Sequence, residues 1–131
     1  MLLEELAAAD PAFCLSYLAH SMLFVNNVCQ NGSVEQKRKF LPKACTGEKI
    51  CGMGMSEPSV GTDVLGMQTS AKLSADKSHY VINGAKMWIT NGTITGKETG
   101  DAFLVYAKTD PSKKNGGLTS FLVEKGMPGF T

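Results

Sequence analysis

An excess of charge of either sign is missing from this sequence. Thirteen basic and twelve acidic side chains leave a net charge near +1. Such a chain offers no basic field for nucleic acid and no acidic tail. Cysteine is sparse, and Cys14, Cys29, Cys45 and Cys51 form no C-x-x-C pair. With only His20 and His79 beside them, no metal site is expected. The thiols read as reduced and mostly buried, in a reducing compartment. A cationic leader is lacking, because Glu4 and Glu5 stand where it would lie, so no signal peptide is expected. Formal charge is absent from Pro11 to Val34, but Ser16, His20, Ser21, Asn26, Asn27, Gln30 and Asn31 interrupt that stretch. It reads as a buried helix enclosed by others, not as a membrane span. No G-x-G-x-x-G follows a strand, which excludes a Rossmann site. No internal repeat is present.

What remains is ordinary globular material, 43% hydrophobic and 19% charged. Leu2 to Ala9 is helical by composition. Asp10 as N-cap and Pro11 at the first position start a second helix. Apolar residues cover most of Phe13 to Cys29, and Asn31-Gly32 predicts a left-handed stop. Ser33 and Gln36 form a capping box that opens a third helix through Phe40, with Pro42 as its stop. Lys37, Arg38, Lys39 and Lys43 read as a solvated face.

After Lys49 the apolar period changes to two. Ile50 to Met55 and Met67 to Ala75 read as strands. His79 to Ile82 and Ala85 to Thr90 are expected to pair through a tight Asn83-Gly84 hairpin. Asn91 to Gly100 is a polar loop, and Ala102 to Lys108 and Leu118 to Glu124 are strands. The expected fold class is α+β: helices over residues 1–48, then an antiparallel, barrel-like β domain over 49–131.

The chain is organised around Met53-Gly54-Met55-Ser56-Glu57-Pro58-Ser59-Val60-Gly61-Thr62-Asp63. An apolar strand runs there into a polar turn. Pro58 keeps Glu57 extended. Gly61 admits a conformation, or a close approach, that a Cβ would block. Ser56 and Thr62 bracket the bend with hydroxyls, and backbone N–H groups between them suit an electron-rich ligand.

Met55-Ser56-Glu57-Pro58-x-x-Gly61-Thr62-Asp63 resembles the first signature of the acyl-CoA dehydrogenases. Lys86-Met87-Trp88-Ile89-Thr90-Asn91-Gly92 resembles that family's second flavin-contacting segment. Leu15 to Ser21, Asn31-Gly32, Lys39 to Lys43 and Phe121 to Phe130 are similar to its isovaleryl-CoA branch. The resemblance covers essentially the whole chain. Val60 departs from it, standing where the family usually has a smaller residue.

The resemblance implies FAD as cofactor, held by Met53, Gly54, Met55, Ser56, Glu57, Pro58, Ser59, Val60, Gly61, Thr62, Trp88, Ile89 and Thr90. Ser56 is the candidate donor at the flavin's pyrimidine end, Thr90 the partner of N5, and Trp88 an apolar face against the ring. Thr62, Asn115 and Gly116 would meet the acyl-CoA. The branch usually carries a Ser-Arg pair at 115–116, so Lys113 or Lys114 is the substitute cation, or else a solvated loop lysine.

The implied reaction is α,β-dehydrogenation of a short branched acyl-CoA, with electrons passed to an electron-transferring flavoprotein. The implied setting is a homotetramer in the mitochondrial matrix. The family's catalytic Glu lies in a C-terminal helical domain beyond this chain, which reads as a fragment, so no catalytic residue is assigned. Glu57 reads as a hydrogen-bonding brace rather than the base. An acyl-CoA oxidase and a non-enzymatic ligand-binding β module are the competing readings.

Overall fold

The computed structural model describes residues 2–113 and 116–131. Asp10 begins the main helical rod, as its carboxylate accepts from Ala12 N at 2.9 Å and Phe13 N at 3.0 Å. Helix α1 (Leu2–Ala9) precedes it. The rod is α2 (Pro11–Leu18), a π-helical segment (Ala19–Asn26) and α3 (Asn27–Asn31), run together without a break. Pro11–Asn31 is long and apolar enough to cross a membrane by length and composition alone. It is not enclosed as expected: Phe13, Leu15, Met22 and Leu23 are exposed, while Phe24 and Val28 are buried.

Gly32 ends the rod in extended backbone (φ −71°, ψ 152°), not in the left-handed stop expected. Its missing Cβ matters for another reason, since one would sit 2.6 Å from Val28 O. Helix α4 (Val34–Cys45) opens on the expected capping box: Gln36 N donates to Ser33 Oγ, and Ser33 N to Gln36 Oε1. Pro42 does not stop α4. Near the helix end proline forfeits a single backbone bond, and Thr46 N still donates to Pro42 O. Lys39 of the basic face pairs with Glu124, so that face is only partly solvated.

The strands are β1 (Cys51–Gly54), β2 (Ser70–Leu73), β3 (Tyr80–Asn83), β4 (Ala102–Lys108) and β5 (Leu118–Glu124). β4 is the hub, with Ala102, Phe103, Leu104 and Val105 buried. β5 pairs antiparallel along all of β4, and β2 and β3 are antiparallel partners. β1, however, runs parallel to β4, and β2 meets β4 at one parallel pair, Ser70 with Lys108. The sheet is therefore mixed, correcting the antiparallel expectation. Among the described strands no pairing closes it into a barrel. It does curl, since the Tyr80 and Phe121 rings of β3 and β5 lie 5.2 Å apart.

The hairpin also differs. β2 turns into β3 through Ser74–His79, where Asp76 accepts from Ser74 Oγ, Ser78 N and Ser78 Oγ. Asn83 ends β3, and Ala85 to Thr90 is irregular. The physical reason lies in tertiary hydrogen bonds: Met87 N donates to Ser56 O at 2.9 Å and Lys86 Nζ to Met55 O at 3.0 Å. These draw the segment away from β3.

The helices bury Phe24, Val28, Phe40 and Ala44 against Cys51, Ala102 and Leu104. His20 joins the two regions. Its Nδ1 accepts from Cys51 N at 3.0 Å, so Nε2 carries the proton it shares with Ala44 O at 3.0 Å. All four cysteines are free; Cys14 and Cys51 are buried, Cys29 and Cys45 exposed. Burial, then the nearby Asp101 carboxylate, push the Cys51 thiol up to about 11, which leaves it unreactive.

Candidate functional site

β1 supplies one wall of a cleft at the junction of helix and sheet. Glycine and methionine alternate along it and into the next residue: Gly52 and Gly54 face one way, Met53 and Met55 the other. The methionines and Ser56 line the cleft with Met87, Trp88 and Thr90 opposite, and with Ala19 and Leu23 of the π-helical segment. The cleft holds about 420 Å³, counting its open mouth. No charged side chain lines it among the described residues. Its polar side-chain groups are the hydroxyls of Ser56 and Thr90, which make no hydrogen bond among the described residues, and the indole N–H of Trp88. A helix widened to π geometry at such a place is a common feature of functional sites.

Trp88 is 86% exposed and has a left-handed backbone, φ 59°. A bulky residue in that region is strained, and persists only where its surroundings hold it. The glycines of β1 explain the close approach of its segment. A Cβ on Gly52 would sit 2.5 Å from Thr90 O, and one on Gly54 would meet Lys86 and Ile89 side-chain carbons at 3.4 and 3.5 Å. Ile89 thus packs beneath the cleft, over Gly54.

Glu57 lies behind the wall and is 5% exposed. Its carboxylate accepts from Gln68 N at 2.6 Å, Thr69 N at 2.9 Å and Lys86 Nζ at 2.9 Å. Burial pushes this carboxyl up, but the Thr69, Gln68 and Lys86 donors outweigh it and hold it at about 2. The Thr69 hydroxyl lies close by without a hydrogen bond of regular geometry. This ionised carboxylate is fully engaged and stands outside the cleft lining.

The structure thus brings Met53, Met55, Ser56, Trp88 and Thr90 together, from two stretches far apart in sequence. Gly54, Glu57 and Ile89 support them from behind. Pro58 and Ser59 form an exposed turn closed by reciprocal bonds between Glu57 and Val60, 2.8 and 3.1 Å. Gly61 and Thr62 are exposed beyond it and do not line the cleft. Gly61 has neither a positive φ nor a neighbour within 4 Å of a would-be Cβ, so the need read for it is not there. Gly116 (φ 93°) lies in an exposed loop and Lys113 pairs with Asp110 at 3.7 Å. Lys114 and Asn115 lie outside the described residues.

Sequence reasoning missed Ala19 and Leu23 as lining and Gly52 and His20 as supports, and it placed Lys86, Met87 and Asn91 within the second signature without giving them a role. Asn91 Nδ2 donates to Cys51 O at 3.0 Å and Ser16 O at 3.3 Å. The signals that existed were the Gly-x-Gly alternation in β1 and the i, i+4 spacing of Ala19 and Leu23.

The family "Acyl-CoA dehydrogenase, N-terminal domain" matches residues 1–48, and "Acyl-CoA dehydrogenase, middle domain" matches residues 52–131. The mitochondrial isovaleryl-CoA dehydrogenase of Pongo abelii is 47% identical over 100% of this chain and 30% of its own length. The structure of butyryl-CoA dehydrogenase from Megasphaera elsdenii superposes with a TM-score of 0.88 at 42% identity, covering 98% of this chain and 32% of that one. A glutaryl-CoA dehydrogenase from Mycobacterium smegmatis, in complex with FADH2, gives a TM-score of 0.85 at 36% identity over 98% of this chain and 30% of that one. The chain thus spans about 30% of the length of the curated relative.

Proposed function

The chain belongs to the acyl-CoA dehydrogenase family, and from that premise we propose that its cleft is part of the FAD cradle of an enzyme that dehydrogenates a short branched acyl-CoA. The carrying observation is the meeting of Ser56, Trp88 and Thr90 in one uncharged cleft. The donor set fits the group: thioether and indole walls suit a flat aromatic ring, and two hydroxyls with no partner among the described residues suit its polar edges. When bound, FAD supplies a hydride acceptor at N5 and spreads the arriving negative charge over its pyrimidine end.

Thr90 is the proposed donor at N5 and Ser56 the donor at the pyrimidine end, both fixed before charge arrives. Glu57 and Lys86 hold these segments in register from behind. Exposed Thr62, with Asn115 and Gly116, is the proposed contact for acyl-CoA. Residues 1–48 and 49–131 are read as parts of two domains. The preference for a branched acyl group follows the isovaleryl-CoA relative; butyryl- and glutaryl-CoA dehydrogenases are also close. An electron-transferring flavoprotein as acceptor, a homotetramer and the mitochondrial matrix belong to the same reading.

Trp88 is the chain's one tryptophan, so its fluorescence reports the cleft directly. Titrating FAD into the protein should quench it saturably, and Ser56→Ala or Thr90→Ala should weaken the binding. A fluorescence unaffected by FAD, beyond inner-filter absorption, overturns the reading.

A further inference from the structure

We propose that Asn91 is a positioning residue whose side-chain amide, and not its backbone conformation alone, holds the Trp88–Thr90 wall in place. The consequence for FAD rests on the cofactor reading above; the pin itself does not.

The wall has little packing of its own. Met87, Trp88 and Thr90 are exposed, and only Ile89 of this stretch is partly buried. Its backbone is unusual at both ends: Trp88 has φ 59° and Asn91 φ 64°, with Gly92 N closing the turn on Ile89 O at 2.9 Å. Local preference does not keep a tryptophan there. Something beyond the turn must hold it.

Asn91 supplies that hold. Its Nδ2 donates at 3.0 Å to Cys51 O, in the first residue of β1, and at 3.3 Å to Ser16 O, in α2. The NH₂ group has two protons, and two carbonyls from different elements face it. Cys51 is itself fixed by His20, which takes its N–H at 3.0 Å. The chain of contact therefore runs from helix to β1 to Asn91 and into the wall. Gly52 sets the depth, since Thr90 O lies only 2.5 Å from where its Cβ would be. Asn91 sets the lateral position.

Two substitutions separate the amide from the φ. Asn91→Gly accepts the left-handed backbone and removes both bonds. Asn91→Asp keeps the shape and the tolerance for φ, but turns oxygen toward both carbonyls. Trp88 anisotropy in the ligand-free protein reads the wall. The FAD dissociation constant, from Trp88 quenching, reads its fitness for cofactor. Melting temperature and circular dichroism control for the fold.

The expected result is a native circular dichroism spectrum for both variants, lower Trp88 anisotropy, and FAD binding weaker by about tenfold, the worth of one to two net hydrogen bonds. A merely structural residue would lower the melting temperature without freeing Trp88 in the folded state. An Asn91→Gly protein matching the wild type in anisotropy and FAD affinity overturns the proposal, because the residue then serves only its φ. If Asn91→Gly does not fold, Asn91→Asp is judged by the same two readings. If the wild type itself does not bind FAD, the cofactor reading falls and anisotropy decides alone: a drop in the variants sustains the pin, and an unchanged value overturns it.

Discussion

Lys86 Nζ lies 2.9 Å from Glu57 Oε1, and the two side chains are 7% and 3% exposed. The same ammonium donates to Met55 O at 3.0 Å, so one cation ties the turn after β1 to the Trp88 segment. Removing one partner of such a pair strands a buried charge, at a cost of about 3–5 kcal/mol. Lys86→Met and Glu57→Gln should each lower the urea midpoint strongly. Their double variant should recover much of the loss, since no lone charge remains. Two single variants that unfold at the wild-type midpoint would mean that water reaches the pair.

Acid should find the same spot. Burial alone would raise the Glu57 carboxyl, but its donors depress it from 4.5 to about 2 in the folded chain. Its unfolded value is ordinary, so the unfolded state binds the extra proton between these limits. The contribution to stability is therefore complete above about pH 4.5 and is lost as pH falls toward 2. Unfolding free energy measured at pH 6 and pH 3 should drop by a few kcal/mol in the wild type, and by less in Glu57→Gln. Equal drops in both would assign the acid sensitivity elsewhere.

His20 makes a third test. Its ring accepts from Cys51 N and donates to Ala44 O, joining the π-helical segment, α4 and β1. Phenylalanine keeps an aromatic ring but takes the acceptor from Cys51 N, at roughly 1–3 kcal/mol if that N–H stays dry, while Ala44 O retains the bond from Gly47 N at 3.2 Å. His20→Phe should lower the melting temperature and speed hydrogen exchange at the Cys51 amide above all. Exchange there at the wild-type rate would show that the His20 bond does not protect that amide.

The sequence was most readable where structure is local. β4 and β5 lie where alternation put them, and the Asp10 and Ser33 caps form as their chemistry dictates. The Asn83-Gly84 hairpin failed because Lys86 and Met87 gain more from distant carbonyls than from pairing with β3. The parallel β1–β4 pair joins Cys51 to Ala102, a separation no local pattern records. The cleft shows the same division. Ser56, Trp88 and Thr90 stood out by type and order. Gly52, His20 and Asn91 did not, because their value lies in backbone groups they approach in other elements.

The last prediction concerns the proton that an acyl-CoA must lose as its hydride leaves. The cleft lining contains no carboxylate, histidine or cysteine among the described residues. Glu57, the nearest acidic candidate in sequence, is spent on Gln68, Thr69 and Lys86 and lies behind the wall. A general base must stand within hydrogen-bond reach of the proton it takes, and its loss costs typically ~10²–10⁴-fold in rate. This chain, mixed anaerobically with excess FAD and isovaleryl-CoA, should therefore leave the flavin absorbance unbleached on the time scale of an intact dehydrogenase. In an intact protein carrying the chain, Thr90→Ala should slow flavin reduction more than it weakens acyl-CoA binding, because its hydroxyl matters most as charge arrives. Rapid bleaching by the chain alone would place a working base within it, and Glu57→Gln would show at once whether that base is Glu57.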